Sequence, residues 1–318
     1  MSFTILLEMF PIALMFAVPL VIAALGGLFS ERSGVVNIAL EGIMMVGGFA
    51  AAAITWLLEP SMRGWAPWIG LVVGIASGMV FSLIHAFASI NLKADQVISG
   101  TALNILAGGL TVYLAQIFFH QQRTKAFTSG FTKISVPVLE DIPVLGRLFF
   151  VQAYPTFYVA IALVALTWFV VYKTPFGLRL RSCGEHPQAA ASMGINVYRM
   201  RYIGVVISGA LAGLAGGVMI LTQDIQYTVA SIHGYGFIAL ASLIFGKWNP
   251  WGVLGTAIFF GFSETLALYA KDISFLRGLP TEVFSMVPYI LTIIVLVLSA
   301  GKTVGPKAAG EIYDQGKR

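Results

Sequence analysis

The chain is 318 residues long, 58% hydrophobic and only 10% charged, with a formal net charge of +5. A water-soluble domain carries about a quarter charged residues, so this composition excludes a solvated globular surface and places the chain among polytopic membrane proteins. The cations lie between apolar runs, where they orient helices against a membrane and do not build a nucleic-acid surface, and a single cysteine, Cys183, excludes a disulfide framework or a cysteine-rich metal site.

A membrane-crossing helix needs roughly 20 apolar residues. In chain order the candidate runs are about 9–29, 38–58, 67–90, 97–119, 154–172, 202–222, 232–246, 251–270 and 283–300. The first lacks a cationic start and a small-residue cleavage pattern, so it reads as a retained span and not a signal peptide. The run 232–246 is short and carries Gly234 and Gly236, which predicts a tilted span, a broken helix or a re-entrant segment. The expected fold is all-α: one transmembrane domain over 1–318, with about nine helices and a range of eight to ten.

Two runs carry glycine at every fourth position, Gly70, Gly74 and Gly78 in one and Gly209, Gly213 and Gly217 in the other. That spacing puts small residues on one helix face and lets backbones approach. Helix packing is the plain expectation, with an internal repeat as the alternative. Trp56, Trp65, Trp68, Trp248 and Trp251 fall near run ends, where an aromatic belt would place them.

The loops predict orientation. Lys173, Arg179, Arg181, Arg199 and Arg201 face one acid, Glu185, in the 173–201 loop, and the tail 302–318 adds Lys302, Lys307, Lys317 and Arg318. Both are expected to be cytoplasmic, and four runs between them keep them on one side. The N-terminus and the 120–152 loop then lie outside, although that loop holds Arg123, Lys125, Lys133 and Arg147; it is longer, and Glu140 and Asp141 dilute it. With Pro137 and Pro143 it either docks a soluble protein or caps the bundle.

Asn37, Glu41, His85, Asn104, Gln116, Ser263 and Glu264 fall in or at the edges of apolar runs. Ionisable groups there are costly and face a partner or an aqueous cavity. Asn37, Glu41, Asn104 and Glu264 are candidates to line a solute path; the rival reading has each carboxyl protonated or bonded to a neighbouring helix. His85 is expected to be a buried packing residue. Asn37 with Gly34 marks a helix break, tolerable only where protein or water satisfies the freed backbone groups.

Between two spans, the stretch from Gly184 to Val197 predicts a short polar surface helix in the cation-rich interval 174–200. Pro187 suits a first helical position, Glu185 favours the positive end of the dipole, Ala189, Ala190 and Ala191 give a smooth helical surface, and Gly194 ends it. This is a rigid knob for docking, or else an ordinary interfacial loop. Gly301-Lys302-Thr303 looks like the end of a phosphate loop, but position 296 is Leu296 and an apolar run precedes it, so no nucleotide site is expected. There is no His-Glu-x-x-His and no Gly-x-Ser-x-Gly, so no catalytic residues and no metal are expected.

The run from Glu185 to Tyr202 resembles the coupling-helix region of ABC-importer permeases, in the branch that handles ribose, branched-chain amino acids and nucleosides. A second run, from Gly26 through Ser30, Glu31, Arg32, Asn37 and Glu41 to Met44, is similar to the nucleoside-type subset. The resemblance covers about residues 15–300. It implies a permease subunit of an ATP-driven importer in a bacterial-type cell membrane, beside a second homologous or identical permease. Its further partners would be two ATPase domains and a lipid-anchored extracytoplasmic binding protein. ATP would sit on those partner subunits, and this chain would bind no cofactor. Glu185, His186, Pro187, Ala189, Ala190, Met193 and Gly194 would engage the ATPase. The alternatives are the same machine carrying a simple sugar or branched-chain amino acid, and a proton-coupled carrier using Glu41 and Glu264.

Overall fold

The computed structural model describes residues 3–137, 142, 146–269, 305–314 and 316, together with 283, 286, 287, 290, 293, 294 and 297. Among them every regular element is a helix: α1 (Phe3–Arg32), α2 (Leu40–Met62), α3 (Ala66–Ala86), α4 (Gln96–Phe119), α5 (Pro155–Lys173), α6 (Pro175–Glu185), α7 (Pro187–Ser192), α8 (Val197–Gln223), α9 (Val229–Ile232), α10 (Tyr235–Phe245) and α11 (Pro250–Tyr269). A π-helical turn, Phe87–Asn91, prolongs α3. Seven of these helices are long and apolar enough to cross a membrane: α1, α2, α3 with its π turn, α4, α5, α8 and α11.

The expected short run 232–246 is a broken passage. Before α9, Tyr227 N–H donates to Thr124 Oγ1 in the stretch just beyond the Phe119 end of α4 (2.9 Å). After α10, Trp248 Nε1 donates to Glu31 at the Arg32 end of α1 (2.5 Å). These lie at opposite ends of the bundle, so α9 and α10 together run from one to the other, broken at Gly234, whose φ is +91°. The expected ninth span, 283–300, lies outside the described residues apart from isolated positions, as does Gly301-Lys302-Thr303.

α1 and α8 form the enclosed centre, and α4, α5 and α11 lie outside with much of their apolar surface uncovered. The two glycine stripes face each other. A Cβ on Gly78 would stand 2.3 Å from the Gly209 carbonyl, and one on Gly213 2.3 Å from the Gly74 carbonyl. Gly47 of α2 closes the junction, its Cβ position 2.4 Å from Gly213 Cα. Lipid tails are as apolar as leucine, so helix association rests on such close packing and not on a hydrophobic drive.

The stretch 120–137 caps the opposite end: Phe127 and Phe131 are buried, and their N–H groups donate to the carbonyls of Ile225 and Leu221 (both 2.8 Å). Of the tryptophans, Trp65, Trp68 and Trp251 are exposed, but Trp248 is not a belt residue: it is buried because its indole N–H serves the buried Glu31 carboxylate.

Replacing Gly78 with Ala is expected to destabilise the detergent-solubilised protein by about 1–3 kcal/mol or more, the cost of overpacking a tight junction. Gly108→Ala, where nothing lies within 4 Å of the added carbon, should leave the melting temperature unchanged or raised. Equal melts for the two variants would refute the glycine junction.

Candidate functional site

Two features gather the polar chemistry: a platform at the Arg32 end, and a junction of broken helices inside the bundle. The platform is built by α6, α7 and the start of α8. Thr174 caps α6 by accepting from Gly177 N–H (3.2 Å), and Gly177 packs against the Val170 and Val171 carbonyls. At His186 the chain leaves the helix (φ −144°, ψ 81°), because the residue before a proline is pushed out of the α region. Pro187 then opens α7, where its missing N–H costs nothing, and Gly194 takes φ +82° just beyond.

Burial sorts the seven residues expected to dock a partner. Met193 is 83% exposed, and His186, Ala189 and Gly194 are exposed beside it. Pro187 and Ala190 are buried against the chain itself, so they support the platform without presenting it. Between α6 and the start of α8 lies a groove of about 1030 Å³, flanked by Phe176, Leu178, Arg179, Arg199 and Met200. Arg201 is no part of this cationic surface. It is 2% exposed, lies 5.8 Å over the Tyr313 ring and donates to the Glu311 carbonyl (2.9 Å).

The platform's base is fastened to the bundle. Glu185 pairs with Arg32 at 3.7 Å, and Arg32 donates to the Trp248 carbonyl (3.2 Å). The tail crosses beneath: Ala308 N–H donates to the Gly184 carbonyl (2.8 Å), and Lys93 pairs with Asp314 at 3.3 Å. The tail and α6 therefore occupy the same end of the bundle.

The junction begins where α1 stops. Residues 33–39 run without regular helix, and α2 starts inside the bundle: Gly42 packs on the Asn104 backbone, eight residues and about 12 Å into α4. The freed backbone groups are met by side chains. Gln96 Oε1 accepts from Val36 N–H (2.7 Å), and His85 Nε2–H donates to the Val36 carbonyl (3.0 Å). Asn104 spans the start of α2, accepting from Gly42 N–H (2.8 Å) and donating to the Ile38 carbonyl (3.0 Å). Asn37, fully buried, donates to Ser208 Oγ (2.8 Å) and accepts from Ala39 N–H (3.1 Å).

Asn37 and Asn104 thus use both ends of their amides to hold the break, and His85 ties it through Nε2 while its Nδ1 meets Ser99 Oγ on α4 (3.1 Å). Glu41 differs. It is 4% exposed, and its Oε2 is buried with no hydrogen-bond partner. The N–H groups of Gly234, Gly236 and Phe237 face its carboxylate from the start of α10, which is the favourable end of the helix dipole. His233 Nδ1 lies 3.7 Å from Glu41 Oε1, and its side chain is 80% exposed. His233 was not picked out by sequence reasoning; its signal was a histidine beside glycines in an under-length apolar run.

Glu264 is not a neighbour of Glu41. Gly261, one turn from it, packs on Ala13 and Ala17, whereas Gly27 packs at the level of Leu40. Ten residues of α1 separate Ala17 from Gly27, about 15 Å. Ser263 is buried and bonded to its own helix (3.0 Å), and Gln116 is exposed. Among the described residues no three His, Cys, Asp or Glu side chains group as metal ligands.

A helical membrane bundle with interrupted crossings and a protruding short helix at one end is the build of a transport permease. The family model described as branched-chain amino acid transport system, permease component, matches residues 10–296, and the chain belongs to that family. It is 48% identical over 308 residues to the guanosine ABC transporter permease protein NupQ of Bacillus subtilis, covering 97% of each chain. It is 41% identical over 304 residues to the nucleoside ABC transporter permease protein NupC of Lactococcus lactis, covering 96% of each. A solved ABC transporter in an inward-facing conformation shares the fold at 12% identity, with a TM-score of 0.50 over 91% of this chain and 85% of that one. The chain is an ABC transporter permease, a transport component and not an enzyme.

Replacing Asn104 with Leu removes both ties across the break and strands Gly42 N–H and the Ile38 carbonyl, at about 1–3 kcal/mol for each orphaned group. A thermal melt of the solubilised protein should show a clear drop. An unchanged melt would mean that the break does not depend on this amide.

Proposed function

We propose that this chain is the membrane subunit of an ATP-driven importer of nucleosides in a bacterial-type cell membrane. It works beside a second permease subunit, homologous or identical. Two ATPase domains engage the α6–α8 platform from the cytoplasm, and a lipid-anchored binding protein delivers solute to the opposite end, where residues 120–137 lie. The observation that carries the solute is the 48% and 41% identity, over nearly the whole chain, to permeases named for guanosine and for nucleosides.

The platform supports the coupling role. Exposed Ala189, Met193 and Gly194 present α7 outward, while Glu185 and Gly184 tie its base to α1 and to the tail. A push on α7 from closing ATPases therefore reaches the bundle through α1, and ATP binding favours one conformer by its differential contacts. ATP stays on the partner subunits, and this chain makes and breaks no bond. The same machine carrying a simple sugar or branched-chain amino acid is the second reading, and the wording of the family description supports its amino-acid form. A proton-coupled carrier is disfavoured, because Glu41 and Glu264 stand too far apart to pass a proton directly.

Cells carrying the gene should take up radiolabelled guanosine and uridine, resist competition by ribose and leucine, and keep uptake under a protonophore while ATP is held constant. Loss of uptake under the protonophore would replace the importer with a carrier; transport of ribose or leucine instead would replace the solute. In the assembled transporter, Ala189→Arg should cut uptake by roughly tenfold or more with yield and melting temperature unchanged. Undiminished uptake would remove α7 from coupling. Ala190→Arg is a poorer probe, since Ala190 is 4% exposed and the change would disturb packing.

Orientation has its own test. Cys183 is fully buried, and that burial pushes its thiol up from the usual range, so the native chain should label slowly with a membrane-impermeant maleimide. Lys307→Cys, at an exposed tail position, should label in inside-out vesicles and not in intact cells. The reverse pattern would invert the topology.

A further inference from the structure

We infer that Glu41, His233 and Phe237 form a nucleobase subsite within the crossing, at the break between α9 and α10; this rests on the nucleoside reading above. The position comes first. Glu41 adjoins Gly42, which packs on Asn104 about 12 Å along α4, so the break lies well inside the bundle and not at its end. At that depth a polar side chain facing lipid is costly and one facing an aqueous path is not. His233 is nevertheless 80% exposed, and Phe237 is 51% exposed on the first turn of α10. The face they share is therefore a path wall.

The chemistry of that wall suits a base. Phe237 offers an aromatic face, and stacking on such a face accepts any base because every base has a π surface. Behind it the Glu41 carboxylate is faced by the Gly234, Gly236 and Phe237 N–H groups, yet its buried oxygen Oε2 meets no donor in full hydrogen-bond geometry, and a donor that completed its coordination would relieve that cost. His233 stands over the other oxygen at 3.7 Å, and as the exposed member of the pair it can swing aside. A carboxylate is acceptor-only and can take two adjacent N–H donors at once. Guanine presents such a pair on its N1–H and 2-amino edge; adenine presents an acceptor at N1 and is refused. The glycines flanking the pair make this possible. Gly236 lets α10 lie directly on the Glu41 backbone, where an added Cβ would meet Glu41 Cβ at 2.4 Å, and Gly234 supplies the left-handed turn at φ +91°.

The test is uptake kinetics of the complete transporter, with its ATPases and binding protein, for guanosine and adenosine. In the wild type guanosine is favoured. Glu41→Gln, whose amide both donates and accepts, should cut the guanosine-to-adenosine ratio of kcat/KM roughly tenfold. Phe237→Leu should raise the KM for both nucleosides by roughly tenfold and leave the ratio alone. Substrate-stimulated ATP hydrolysis in each variant, at saturating solute, reports that the complex remains assembled. Equal loss for both nucleosides in Glu41→Gln, or lowered yield with an unchanged ratio, would make Glu41 a structural cap of α10 and overturn the subsite. A wild type that moves no nucleoside would instead overturn the nucleoside reading itself.

Discussion

The structure depends on a requirement of its backbone: inside a membrane every N–H and C=O must find a partner within the protein. Residues 33–39 leave helical geometry between α1 and α2, and beyond the turn in which Ser33, Gly34 and Val35 N–H donate to the Ser30 and Glu31 carbonyls their peptide groups need partners from elsewhere. Gln96, His85, Asn104 and Asn37 supply what is missing, each from a different point along the chain. Those four side chains, placed by α3, α4 and the break itself, decide where α2 starts and how deep it starts. Everything that meets α2, including the glycine junction with α3 and α8 and the turn of α10 over Glu41, inherits that placement.

The second organising feature is the cluster around Arg32. Its guanidinium pairs with Glu185 on the platform and bonds the Trp248 carbonyl before α11, while the neighbouring Glu31 takes the Trp248 indole N–H. One helix end therefore touches the platform and the turn between α10 and α11. A displacement of α7 acts on a helix that runs through the enclosed centre, and α10 carries the break that faces Glu41. The platform and the Glu41 junction are thereby tied together through α1 and the 246–250 turn.

Much of this was legible in the amino-acid order. Long apolar runs must become crossing helices because nothing else satisfies their backbone, so the seven long spans were readable directly. The glycine stripes were readable as close-packing faces, yet not as partners of each other, because spacing on one helix carries no address for a second. Asn37 with Gly34 announced a break, but the residues that repair it lie up to 171 positions away. Trp248 and Arg201 were misread for a common reason: both sit near span ends, where belts and charge bias are usual, and only tertiary contacts with Glu31 and Tyr313 reveal them as interior. α6 was hidden because an amphipathic stretch rich in arginine looks like a loop until Thr174 and Pro175 are recognised as its start. His233 and Phe237 were passed over because hydropathy cannot tell an apolar run that crosses in two pieces from one that is merely short.

The tail has a consequence for biosynthesis. Residues 305–314 close the platform from below, with Ala308 on Gly184 and Glu311 on Arg201, and they follow all of the helices α1–α11 in chain order. The α6–α8 base consequently stays open until residues 305–314 have been made and have folded back onto it. A chain cut short before residue 305 would insert its helices normally yet expose a buried guanidinium and an unpaired carbonyl, a mark by which quality control can tell an unfinished subunit from a finished one.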